Sequence, residues 1–242
     1  MSLRWARLCV LAMLAALSAC ATVQSPDARD PWESMNRSVF SFNDKLDRIV
    51  LKPVATAYRN VLPDPVQKGV HNFFANLGDV WSAVNNALTG RPRETGDSIG
   101  RVVVNSTIGI LGIFDVASDM KIARHKADFG TTLGRWGVYP GPYVVLPVLG
   151  PATVRDVLAL PVDYQANLIN QFSEAATRDT LKVINLVDTR AYYLPASDTA
   201  AGAALDAYSF VRDAYLQRQR YMQYDGNPPE VDQAVDEDPN LE

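Results

Sequence analysis

The chain has 242 residues, 48% of them apolar and 21% charged, with a formal net charge of -4. That balance suits a globular protein with one large domain or two small ones and excludes a disordered or fibrous chain. Two cysteines and two histidines leave little room for a disulfide scaffold, most zinc sites or most histidine-dependent chemistry.

Residues 1–19 carry Arg4 and Arg7 and no acid, and they contain the apolar run Leu8–Leu17, the pattern of an export signal peptide. The run is about ten residues, too short to cross a hydrocarbon core of about 30 Å. It closes on Leu17-Ser18-Ala19-Cys20, which looks like a bacterial lipobox. Cleavage there discards Cys9 and makes Cys20 an acylated N-terminus, so no free thiol remains. One acyl chain holds only marginally, whereas three chains, at about 0.8 kcal/mol per buried methylene, anchor durably. Position 21 is alanine rather than an aspartate retention signal, which predicts the outer membrane, periplasmic side, with residues 20–29 as an acylated tether.

Asp30-Pro31-Trp32-Glu33 predicts a capped helix start. Trp32, Met35, Val39, Phe42, Leu46 and Ile49 then recur at spacings of three and four, one apolar face of a helix. Asp64-Pro65 starts another helix with Val66, Val70, Phe73 and Leu77 expected inward, extended by Trp81, Val84 and Leu88 until Gly90-Arg91-Pro92 stops it. Leu181, Ile184 and Val187 mark a third helix, and Leu205, Tyr208, Val211 and Tyr215 a fourth. The predicted class is mainly α, with one body over residues 30–224. The tail 225–242 holds Asp225, Glu230, Asp232, Asp236, Glu237, Asp238 and Glu242 with three prolines and no base, and is predicted to be disordered. The body before it is close to neutral and lacks a basic stripe with interleaved aromatics, which speaks against nucleic acid as a partner.

Two stretches break the helical regularity. VVVNSTIGILGIF, residues 102–114, and WGVYPGPYVVLPVLGPATV, residues 136–154, contain no charge. The first is too short to span a membrane, and the second is broken by Pro140, Pro142, Pro147 and Pro151. Each reads either as buried core or as a surface lying in the membrane interface or facing a lipid.

Catalytic constellations are not found. There is no G-x-S-x-G nucleophile turn; His71 sits beside Asn72 on a polar helix side, and His125 lies in a charged run. Both suit structural roles. No metal-ligand cluster is predicted, no cofactor motif is found, and the phosphate-cradling glycine motifs fail. Asp79, Glu94, Asp97, Asp115, Asp119, Asp128, Asp156 and Asp163 keep a carboxylate-dependent hydrolase formally open, although helix capping accounts for acids near helix ends. Gly96/Gly100, Gly130/Gly134 and Gly137/Gly141 have G-x-x-x-G spacing, best read as turns or close backbone contacts.

A longer pattern is more specific. Asp30-Pro31-Trp32-Glu33-Ser34-Met35-Asn36-Arg37, Asn105-Ser106-Thr107-Ile108-Gly109, and above all Asp128-Phe129-Gly130-Thr131-Thr132-Leu133-Gly134-Arg135-Trp136-Gly137-Val138 with Gly141-Pro142-Tyr143 and Leu146-Pro147 resemble the MlaA (VacJ) lipoproteins of Gram-negative bacteria over roughly residues 28–224. The resemblance implies a ring-shaped, mostly helical domain with an amphipathic central channel. It implies a non-enzymatic role in removing mislocalised glycerophospholipids from the outer leaflet and handing them to a periplasmic lipid carrier, and an association with trimeric porins. A porin-associated structural lipoprotein without lipid passage is the alternative. On this reading Ile108, Ile110, Leu111, Ile113 and Phe114 are expected in or under the membrane interface. Asn105, Ser106 and Thr107 are candidates for head-group contact, and Val145, Leu146 and neighbouring parts of 130–149 are expected to line or border the lipid path. Arg135 and Arg155 bracket the second uncharged stretch and would attract phosphate, while Tyr139 and Tyr143 suit an interface.

Overall fold

The computed structural model describes residues 27–224 and 226–229; Cys20, the lipobox, Asp225 and residues 230–242 lie outside them. Helix α1 (Glu33–Leu46) runs through a π-helical turn, Asp47–Leu51, directly into α2 (Lys52–Val61). Then follow α3 (Asp64–Leu88), α4 (Pro92–Thr107), the single turn α5 (Val116–Asp119) and α6 (Phe129–Arg135). A hairpin of β1 (Tyr143–Leu146) and β2 (Gly150–Thr153) leads into α7 (Val154–Ala166), a 3-10 turn Leu168–Gln171, α8 (Ala175–Ala203) and α9 (Ala207–Gln223). The strands pair antiparallel, with Tyr143 opposite Thr153 and Leu146 opposite Gly150.

The packing forms a closed circuit. Helix α1 packs on β1, the strands pair, β2 meets α9, α9 packs on α6, α6 on α3, α3 on α8, α8 on α2, and α2 returns through the π turn to α1. A second path joins α6 to α8 through α7 and the 3-10 turn. The mainly helical, ring-like architecture expected from the sequence is thus present, with the Pro/Gly-rich stretch folded as a hairpin that the helical periodicity gave no sign of.

Helix polarity differs from expectation. On α1, Met35 and Phe42 are exposed, as is Ile49 in the π turn, whereas Glu33 and Asn36 are buried. On α3, Val66, Val84 and Leu88 are exposed, whereas Asn76, Asp79, Ser82, Asn85 and Asn86 are buried; Val66, expected inward, points out. The aliphatic stripe that normally marks the core here marks part of the outside, and the contact between α3 and α4 is polar. Arg101 of α4, 1% exposed, donates to Asp79 (3.3 Å), Asp115 (2.7 Å), Ser118 Oγ (3.1 Å) and the Ile122 carbonyl (2.7 Å). Such groups are stable in the interior only because they satisfy one another.

Asp30 is likewise not the helix cap the sequence suggested. The first turn of α1 has no side-chain cap, and the fully buried Asp30 carboxylate instead accepts hydrogen bonds from Asn36 Nδ2 (2.8 Å), the Tyr208 hydroxyl and Arg212. Asn36 also donates to the Tyr143 carbonyl (3.1 Å) and accepts from Val145 N–H (2.9 Å), while Asn43 brackets Leu146 O (2.9 Å) and Val148 N (2.8 Å). Two asparagines two helical turns apart therefore satisfy the open edge of β1 as a neighbouring strand would. Residues 27–29 already belong to the packed body, because the Arg29 carbonyl accepts from Tyr143 N–H at 2.8 Å.

Candidate functional site

A cavity of about 450 Å³ lies among α3, the segment before α6, the C-terminal part of α7, the 3-10 turn, α8 and α9. Each element contributes what its periodicity allows. Helix α3 presents Phe74, Leu77, Gly78 and Trp81 on one face, α8 presents Asn185, Thr189 and Tyr193 one turn apart, and α9 presents Arg218 and Met222. Leu168 and Ile169 add apolar surface, and Asp79, Lys126, Asp128 and Asp163 add ionisable groups. The space is amphipathic, with aromatic and aliphatic walls and a charged rim.

The charges are arranged rather than loose. Asp163 accepts from Trp81 Nε1 (2.7 Å) and from Phe129 N–H (2.9 Å), so it joins α3, α6 and α7; burial pushes its carboxyl above the usual range despite both donors. Burial likewise raises Asp79, against the pull of Arg124 and Arg101. Burial lowers Lys126, and so does repulsion from Arg124 and Arg218. His71 Nδ1 lies 3.0 Å from Asp188 Oδ2, which also accepts from Tyr58 (3.0 Å to Oδ1), and the imidazole stacks on Tyr192 at 4.0 Å. His125 is paired with Asp97 at 2.9 Å. Both histidines are thus held in structural pairs.

The Asp128–Val138 motif builds the wall behind the cavity. Asp128 caps α6 by accepting from Thr131 N–H at 2.7 Å. Gly130 and Gly134 let α6 approach α7: a Cβ on Gly130 would sit 2.7 Å from Asp156 Oδ1, and one on Gly134 2.5 Å from Arg155 Nη1. Asp156 makes a capping box with Thr153 at the start of α7 and accepts from Tyr215 of α9 at 2.5 Å. Asp115, which accepts from Ser118 N–H, and Asp128 are caps, whereas Asp79 is buried inside α3 and Asp163 is half-buried inside α7. Among the described residues, no group of three or more His, Cys, Asp or Glu could hold a metal ion.

Ile108, Ile110, Leu111, Ile113 and Phe114 all project outward on the loop between α4 and α5, away from the cavity. Asn105 is buried and structural, accepting from Ala117 N–H (2.8 Å) and donating to Asp115 (3.0 Å). Ser106 accepts from Asn76 Nδ2 (3.0 Å), and Thr107 donates to Val103 O (2.7 Å), so their polar groups meet the protein itself. Tyr143 and Val145 are core residues of β1, packed with Tyr208; strand alternation turns both inward, which corrects the interface expected for Tyr143. Leu146 is half-buried, and Tyr139 is among the most exposed residues. Arg135 donates to the Met222 carbonyl of α9. Arg155, expected to attract phosphate, is instead 2% exposed and reaches Val138 O and Gln223, each at 3.3 Å.

None of these residues lines the cavity. Of those that do, Leu77 and Trp81 carried a helical periodicity signal, but Lys126, Asp163 and Arg218 lie in distant segments, and only the folded circuit brings them to one rim.

An amphipathic cavity inside a helical circuit that turns large apolar side chains outward defines a membrane-associated protein suited to an amphipathic ligand. Among the described residues, no helix is long and apolar enough to cross a membrane. The chain belongs to the MlaA lipoprotein family, whose model matches residues 28–222. It is 36% identical to the intermembrane phospholipid transport system lipoprotein MlaA of Escherichia coli (strain K12), over 80% of this chain and 78% of that protein. It is 31% identical to the lipoprotein of the same name in Haemophilus influenzae, over 92% of both chains, and 35% identical to an uncharacterized protein of Rickettsia typhi, over 82% of this chain and 80% of the other. A solved structure, described as "Structural basis for maintenance of bacterial outer membrane lipid asymmetry", matches with a TM-score of 0.70 and 35% identity, covering 80% of this chain and 98% of that one.

Proposed function

We propose that this protein is an outer-membrane lipoprotein that passes glycerophospholipids through its cavity, taking mislocalised molecules from the outer leaflet to a periplasmic lipid carrier and so maintaining lipid asymmetry. The carrying observation is the amphipathic cavity inside the helical circuit. A phospholipid leaving a bilayer needs shelter for its chains and polar company for its head group, because chains in water and a bare phosphate in oil are both costly. Acylation of Cys20 would hold the body at the periplasmic face, and Ile108, Ile110, Leu111, Ile113 and Phe114 would enter the interface beside it. On this reading no bond is made or broken. A trimeric porin is a second partner in the proposal, suggested by the family resemblance.

Gly78 supplies the test. It faces the cavity from the middle of α3, and a Cβ there meets nothing within 4 Å, so a side chain can leave the helix at this point and a large one is directed into the passage. Outer-leaflet phospholipid is measured in a deletion strain carrying each form. Wild type and Gly78→Ala restore asymmetry, whereas Gly78→Trp accumulates normally and does not. Restoration by Gly78→Trp would mean that lipids do not use this cavity.

A further inference from the structure

We infer that Lys126 and Arg218 form a subsite for the phosphodiester of a glycerophospholipid at the rim of the cavity; the inference deepens the lipid-passage reading and rests on it. Four cations gather in this part of the molecule, and two are already spoken for. Arg101 is held by Asp79 and Asp115 at 3.3 and 2.7 Å. Arg124 approaches the same two acids at 3.2 and 3.7 Å. Two guanidinium groups against two carboxylates leave that cluster neutral.

The other acids of the rim are committed as well. Asp128 caps α6 through Thr131, and Asp163 receives Trp81 and Phe129. Lys126 and Arg218 are different: both line the cavity, and neither makes a hydrogen bond or ion pair with any described residue. Burial and then repulsion from Arg124 and Arg218 depress the Lys126 ammonium, and the attraction of Asp79, already shared by two guanidinium groups, does not offset them. Two like charges facing one cavity repel each other when it is empty, and an anion between them relieves the repulsion. A phosphodiester supplies that anion with acceptor oxygens for charge-assisted hydrogen bonds from both side chains. Phe74, Leu77, Trp81 and Ile169 in the same cavity offer the apolar surface that acyl chains require. A free phosphoester would use the cations alone; a phospholipid uses both halves.

The full-length protein, purified in mild detergent and stripped of lipid, is offered palmitoyl-oleoyl phosphatidylethanolamine or the matching diacylglycerol in mixed micelles, and retained lipid is quantified. Wild type is expected to retain the phospholipid at least tenfold better than the diacylglycerol. The double variant Lys126→Ala/Arg218→Ala should lose that preference with diacylglycerol retention unchanged, and Lys126→Arg/Arg218→Lys should keep it. An unchanged preference in the double alanine variant overturns the subsite. Displacement of the phospholipid by equimolar glycerol 3-phosphate overturns it too, by assigning the cations to a soluble phosphoester. If wild type retains neither lipid, the passage reading itself falls, whereas equal retention of both lipids removes only the subsite.

Discussion

Arg101 illustrates how single residues hold this fold. Its guanidinium reaches α3, α5 and the following segment at once, from a site 1% exposed. Replacing it with methionine keeps most of the volume but leaves Asp79, 3% exposed, paired only with Arg124. Removing one partner of a buried pair typically costs about 3–5 kcal/mol, so Arg101→Met should lower stability by about 3 kcal/mol or more, read from the midpoint of denaturant unfolding in detergent. These roles were hard to read from the chain, since an asparagine or arginine on a helix carries no mark of which way it faces. Asn36, Asn76 and Asn105 sit inside because partners from other elements, β1, α4 and α5, meet them there. Asp128 was legible as a cap because its partner is Thr131, three residues away.

At the scale of elements, the loop between α4 and α5 is tightly constrained. Ile110 and Leu111 adopt φ of +52° and +55°, a region costly for side chains with a Cβ, and Gly112 follows at +91°. Backbone bonds from Gly112 N–H to Asn105 O (2.7 Å) and from Phe114 N–H to Gly109 O (2.9 Å) hold the turn shut, so its apolar side chains stand outward as a fixed knuckle. Gly109 is its tightest point. A Cβ there would lie 2.2 Å from the Phe114 carbonyl oxygen and 2.6 Å from that of Asn105, so Gly109→Ala forces the backbone apart. A loss of about 2–3 kcal/mol is expected, with faster amide hydrogen exchange over residues 105–117 than in wild type. The uncharged run announced something unusual here without saying what, since composition does not fix backbone sign. The helices from Glu33, Asp64 and Ala207 were legible from spacing, and Gly90-Arg91-Pro92 correctly separated α3 from α4. The hairpin was not legible, because its strands span only four residues each and their open edge is satisfied by α1 rather than by a third strand.

At the scale of the molecule, a closed circuit with a cavity inside leaves little room for a conventional core. The buried apolar residues fall into small clusters, one around Ala55, Ala191 and Leu194 and another around Tyr143, Val145 and Tyr208. Many of the larger ones, among them Ile49, Val61, Leu111, Leu158 and Val183, are more exposed than buried. A helix in a closed circuit around a cavity has one face toward the cavity, one toward the surroundings and only its flanks for packing. That geometry explains why the polar flanks of α3 and α4 meet and why an apolar stripe did not predict burial. It also shows why the cavity could not be located beforehand, since its rim joins residues as distant as Lys126, Asp163 and Arg218.

The polar interior has a calorimetric consequence. Unfolding raises heat capacity when apolar surface meets water and lowers it when polar surface does; an ordinary domain gains about 12–15 cal/mol/K per residue. A wall whose contacts are amide, carboxylate and guanidinium groups, and whose larger aliphatic side chains are already outside, should gain clearly less, measurable by scanning calorimetry in a fixed detergent. A value in the ordinary range would contradict this account of its packing. A small heat-capacity change flattens the curve of stability against temperature, so the protein would keep nearly the same margin over a wide span of growth temperatures.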